Sequence, residues 1–187
     1  MSSVDRGAGS EPLWRWLPAA HRRWIVVNAL MVTALINTAL NATIAWLSVR
    51  GQEQVPLWSI GETSTVTDTL GTLFVLPLIT CVLCTSAVWR ELRTGRLYRV
   101  QGLSQRQPVL AALPAARILR GVAFGALCLV VLAAPATVLL VATGLGDLSQ
   151  SGFIVYKVSF AVALGALVTP VIALRAMADR VGEEPRP

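Results

Sequence analysis

Four long apolar runs decide what this chain can fold into. They lie near Ile25–Leu47, Thr69–Trp89, Ile118–Leu145 and Phe153–Leu174. Each holds about 20 residues or more, which at 1.5 Å rise per residue crosses the roughly 30 Å hydrocarbon core of a bilayer. The third is the longest and has length to tilt. None alternates apolar with polar residues as a barrel strand would, so all four are expected to be helices. The rest of the composition agrees: 55% of the 187 residues are hydrophobic and 14% charged, against about 25% charged in a soluble domain. That leaves too little polar surface to clothe a soluble enzyme, and it excludes a disordered chain and a secreted disulfide scaffold. The expected fold is an all-α integral membrane protein, with four transmembrane helices arranged as two antiparallel hairpins. The first run begins after 24 residues and outlasts the apolar region of a signal peptide, so it reads as a span and not a cleaved leader.

Basic residues set the expected orientation. Arg6, Arg15, Arg22 and Arg23 precede the first run. Arg90, Arg93, Arg96, Arg99, Arg106, Arg117 and Arg120 fill or flank the central connection, and Arg175, Arg180 and Arg186 follow the last run. Of the 16 basic residues, only Arg50 and Lys157 lie elsewhere. By the positive-inside rule, both termini and the central loop, residues 90–117, face the cytoplasm of a bacterial-type inner membrane. Orientation thus accounts for a net charge of +6 without nucleic-acid binding, for which no motif is present. Trp24, Trp46, Trp89 and Tyr156 stand at run ends, where amphipathic rings prefer the headgroup region.

Outside the spans, residues 1–24 form a cytoplasmic lead-in. Within it, Ser10-Glu11-Pro12 reads as the start of a short interfacial helix carrying Leu13, Trp14, Trp16 and Leu17. The central loop is too short for its own core. Its arginines suit anionic headgroups of the inner leaflet or a partner protein. Residues 175–187 form a cytoplasmic tail. Leu17-Pro18-Ala19-Ala20 and Leu113-Pro114-Ala115-Ala116 hint at a duplicated hairpin, but Pro77 and Pro170 fall at opposite ends of their spans.

Polar residues inside the runs carry the functional information, because an ionisable group there costs about 2.5–3.5 kcal/mol on insertion scales. In the first span Thr33, Asn37, Asn41 and Ala45 recur every four residues on one face. In the fourth, Lys157, Ala161, Gly165 and Thr169 do the same, and Lys157 is the only lysine beside 15 arginines. Asp68 stands at the outer edge of the second span. Counted along their helices, Asn37, Asn41, Asp68 and Lys157 reach similar depths in the outer half, so a polar cluster with an Asp68–Lys157 pair is expected. Such a cluster is either interhelical glue with a snorkelling lysine, or the lining of a site for a polar ligand or solute path. Gly121 and Gly125 form a GxxxG, and with Gly165 they mark close helix approach.

Other chemistry lacks members. Cys81-Val82-Leu83-Cys84 is a CxxC inside an apolar helix, without the flanking cations or second pair that redox work needs. With Cys128 it reads as small buried packing residues. His21 is the only histidine, which leaves a zinc or haem site without ligands. No phosphate-binding or dinucleotide-binding fingerprint is present, so neither metal nor cofactor is expected. The leading expectation is a small non-enzymatic transport or channel-type component, or an accessory subunit, working as a homo-oligomer or with a membrane partner. A membrane-embedded enzyme acting on a lipid or isoprenoid, and a structural or assembly protein, are the alternatives.

Overall fold

The computed structural model describes residues 17–60, 62–102, 107–143 and 147–179. Four helices in it are long and apolar enough to cross a membrane: Ala19–Ser48, Thr65–Arg93, Arg117–Ala142 and Gln150–Met177. They are the first to fourth spans below. The interfacial helix expected from Ser10 lies mostly outside the described residues. Ala19–Trp24 is helical and runs without a break into the first span. Of the expected tail, residues 180–187 lie outside the described residues.

Helix starts follow local chemistry. Ser64 caps the second span in a reciprocal box with Thr67, and Ser149 caps the fourth by accepting from the Gly152 amide at 3.2 Å, so each serine satisfies an amide that the first turn leaves orphaned. Inside the spans, hydroxyls fold back onto carbonyls four residues earlier: Thr69 to Thr65 at 2.6 Å, Thr72 to Asp68 at 2.8 Å, Ser86 to Val82 at 2.6 Å. In a bilayer core this local pairing is what lets a polar side chain sit on a helix at all.

The first span contains a π-helical stretch, Ile25–Val32, with neither glycine nor proline to announce it. The burial pattern supplies a physical reason. Buried positions fall in register every four residues, at His21, Ile25, Ala29, Asn37, Asn41, Ala45 and Val49, with the half-buried Thr33 between Ala29 and Asn37. In an α-helix each step of four overshoots a full turn by about 40°, so a stripe this long would wind around the helix. A stretch with a wider turn rotates less per residue, and it returns the stripe to the face that meets the fourth span.

Packing runs in the order first, fourth, second, third. The fourth span packs on the first and the second, and the third packs on the second. The first span with the second, and the third with the fourth, share at most a glancing contact. The two expected hairpins are therefore not the packing units. The inner members show it in their burial: half of the apolar window is buried in the second and fourth spans, and 22% in the first and third. This contact order has a two-fold pattern: exchanging the two halves leaves it unchanged. The exchange carries first-on-fourth into third-on-second and leaves the central second–fourth contact in place. A two-residue antiparallel ribbon, Gln54–Val55 with Leu148–Ser149, ties the first–second and third–fourth connections together at one end, referred to below as the ribbon end.

Small residues permit the closest contacts. A Cβ on Gly125 would stand 2.6 Å from the Phe74 carbonyl oxygen and one on Gly121 would stand 3.1 Å from that of Leu78, so the third span rides backbone-on-backbone over the second. On the other side, a Cβ on Gly165 would stand 2.6 Å from Asn37 Nδ2.

Candidate functional site

The two-fold pattern leaves two grooves, one between the first and second spans and one between the third and fourth. Each is floored by the span from the opposite half. The first is a cavity of about 410 Å³, within the range of small-molecule sites. Asn37, Asn41, Asp68 and Lys157, which the sequence singles out, all line it. Asn37 and Asn41 come from one wall, Asp68 from the other, and Lys157 rises from the floor.

Lys157 and Asp68 form a salt bridge and hydrogen bond. Lys157 is 4% exposed, and its ammonium also lies 5.9 Å from the centre of the Phe153 ring, a cation–π distance. The lysine therefore does not snorkel to the surface; its charge is held inside by a carboxylate and a ring. Among the described residues one Asp68 oxygen takes the lysine, and no hydrogen bond involves the other. The ammonium has three donors and among the described residues spends one. Asn41 donates to the Asn37 carbonyl at 2.9 Å within its own helix. Asn37 Nδ2 is buried with no partner, against a cost of about 1–3 kcal/mol for a buried donor left unmade. The site thus carries unspent hydrogen-bonding capacity of both signs.

Its polarity is graded along the helices. Ser48, Thr63, Thr67 and Asp68 line the ribbon end, while Leu40, Val75, Leu76 and Ile79 line the deeper part. Ile79 lies 14 residues into its helix, so the groove reaches about 20 Å from the helix start. Leu40, Ile44, Val75 and Ile79 are between 37% and 49% exposed. Because the first and second spans do not pack on each other, the groove is open sideways between them.

A second polar cluster lies at the opposite, arginine-rich end. Arg120 is 1% exposed. It donates to the Pro114 carbonyl at 2.8 Å, the Ala115 carbonyl at 3.0 Å and Asp179 at 2.9 Å. Arg175 also pairs with Asp179 and donates to the Leu113 carbonyl at 3.0 Å, and Trp89 Nε1 donates to the other Asp179 oxygen at 3.0 Å. Nearby, His21 Nε2 donates to the Tyr98 carbonyl at 2.7 Å, Arg99 to the Ala178 carbonyl at 3.2 Å and the Val100 amide to the Met177 carbonyl at 2.9 Å. These bonds pin the loop after the second span across the ends of the first and fourth. Sequence reasoning missed this knot. It counted Arg120 and Arg175 among orientation markers and Trp89 among headgroup-level aromatics. The available signal was Asp179, an acid four residues after Arg175 at the exit of the last span.

Cys81, Cys84 and Cys128 are free and buried. Among the described residues no group of three or more His, Cys, Asp or Glu side chains is placed to hold a metal. Comparison with protein families, with curated proteins and with solved structures finds no match for the chain.

Proposed function

We propose that this is a small multi-pass protein of a bacterial-type inner membrane, with both termini and the arginine-rich loop in the cytoplasm, that works non-enzymatically through the groove between its first and second spans. In that orientation the ribbon end faces outward, and the groove opens into the outer leaflet. A transport or channel-type component, or an accessory subunit, fits best. The observation that carries this reading is the Lys157–Asp68 pair, a buried charge pair lining a sideways-open cavity with donors and acceptors unspent. Interhelical glue would be packed shut. Four spans in a row enclose no pore by themselves, so passage of a solute requires a second copy or a partner. An enzyme acting on a lipid has less support, because the groove offers one carboxylate and one ammonium already paired, with no nucleophile beside a base.

Native mass spectrometry of the full chain from mild detergent, wild type beside Lys157→Met, tests the proposal. The expected result is a defined oligomer or a retained ligand that the variant loses. A bare monomer, identical in both, overturns it.

A further inference from the structure

The groove's charge and shape together specify its occupant, taking as given that the groove is the working site. Lys157 and Asp68 cancel, so a ligand of net charge would attract one and repel the other at comparable distance while losing its own solvation. A ligand that itself carries both signs meets each in turn. The ammonium of Lys157 has two donors left for an anionic oxygen. The unused Asp68 oxygen can accept from a cationic N–H. A quaternary ammonium has no N–H to give, so a primary one is favoured. Below this neutral charge quartet the walls turn apolar through Leu40, Val75 and Ile79, and the open flank meets hydrocarbon. The occupant must therefore be an amphiphile that enters from within the membrane.

We infer that the groove holds one zwitterionic aminophospholipid, its phosphate on Lys157, its primary ammonium on Asp68, and an acyl chain along the apolar walls. Gly71 lines the groove, and a Cβ there would meet nothing within 4 Å. A larger side chain at that position, one turn from Asp68, narrows the groove while leaving both members of the ion pair in place.

The test is native mass spectrometry of the full-length, delipidated protein. It is titrated with palmitoyl-oleoyl phosphatidylethanolamine, the corresponding phosphatidylcholine and phosphatidylglycerol, and, as a headgroup without tails, glycerophosphoethanolamine. One phosphatidylethanolamine per chain is expected, held about tenfold or more tighter than the other two lipids, with no retention of the free headgroup. Lys157→Met and Gly71→Leu each weaken that binding by about tenfold or more. Gly71→Leu supplies the result if Lys157→Met fails to fold. If phosphatidylglycerol binds equally well and is lost in the variants, the occupant is an anion, and this inference falls while the groove keeps its role. Retention of glycerophosphoethanolamine makes the ligand a soluble solute, with the same consequence. Phosphatidylethanolamine binding that neither variant changes lies elsewhere on the protein and overturns the inference together with the functional reading beneath it.

Discussion

The two grooves are built alike and lined differently. The groove between the first and second spans holds an ion pair and two asparagines in a cavity of about 410 Å³. Its counterpart between the third and fourth spans, floored by Leu73 of the second, is a cavity of about 280 Å³. It is lined by Leu132, Pro135, Ala136, Leu139, Phe160, Ala163, Leu164 and Leu167, with no polar side chain among them. The second groove is in effect an internal control. It shows a groove of this construction lined without charges, so the contact order of the spans does not by itself call for Lys157 and Asp68. On the proposed function, the costly charge pair of the first groove serves the ligand and not the packing.

The comparison rests on a shared frame, and the largest expected effect comes from breaking that frame. Among the described residues Asp179 is the sole carboxylate on two arginines, one of them fully buried. Asp179→Ala leaves Arg120 charged, 1% exposed and without its counter-ion, a change that typically costs about 3–5 kcal/mol. Unfolding of the purified protein in mixed micelles should show a loss of that size, and lipid binding should disappear with it. A loss under about 1 kcal/mol would mean the carbonyls of Pro114 and Ala115 satisfy the guanidinium alone.

Next come the close approaches that hold each outer span on its inner neighbour. Gly125→Ala drives a methyl against the Phe74 carbonyl oxygen, which is backbone and cannot step aside. About 1–3 kcal/mol of destabilisation is expected. Gly165→Ala meets Asn37 Nδ2 at the same 2.6 Å, but that is the end of a side chain, which can rotate. It should cost less in stability and more in ligand binding. Equal stability losses for the two would show that Asn37 is as fixed as backbone, and would remove it from the adaptable part of the site.

Much of the first groove was legible in the sequence because desolvation makes polar residues in an apolar run conspicuous. Helix rise then converts their positions into depths, and Asn37, Asn41, Asp68 and Lys157 line one cavity as the depth argument requires. The span order was not legible. Lipid and protein interior are equally apolar, so the hydrophobic pattern of a span says little about which face meets which neighbour. Nothing in the residues Ile25 to Val32 announces a π-helical stretch; only the burial stripe that runs through it explains one. The buried contacts of Arg120 were missed for a related reason. An arginine at a span end serves orientation whether it faces headgroups or a buried carboxylate, and charge counting does not separate the two.

The ion pair itself offers a sharper cut. Lys157→Met alone strands Asp68 beside the groove without its donor and should cost about 1–3 kcal/mol. Lys157→Met combined with Asp68→Leu makes the first groove resemble the second, and replacing a buried pair by apolar side chains is often neutral. The double variant should therefore unfold within about 1 kcal/mol of wild type, while binding no lipid selectively. A double variant less stable than either single one would show that the pair holds the spans together, and the lesson drawn from the second groove would fail.

The smallest expected effect tests whether the two grooves differ in function and not only in lining. Ala163 is exposed and lines the second groove, much as Gly71 lines the first. Ala163→Leu fills that space with a side chain of the same character as its walls, so stability should change by no more than about 0.5 kcal/mol. Retention of phosphatidylethanolamine should stay at the wild-type level, because the filled groove has no charge to meet a headgroup. A drop comparable to that of Gly71→Leu would mean that acyl chains enter both grooves. The charges of the first would then select among lipids without deciding where they bind.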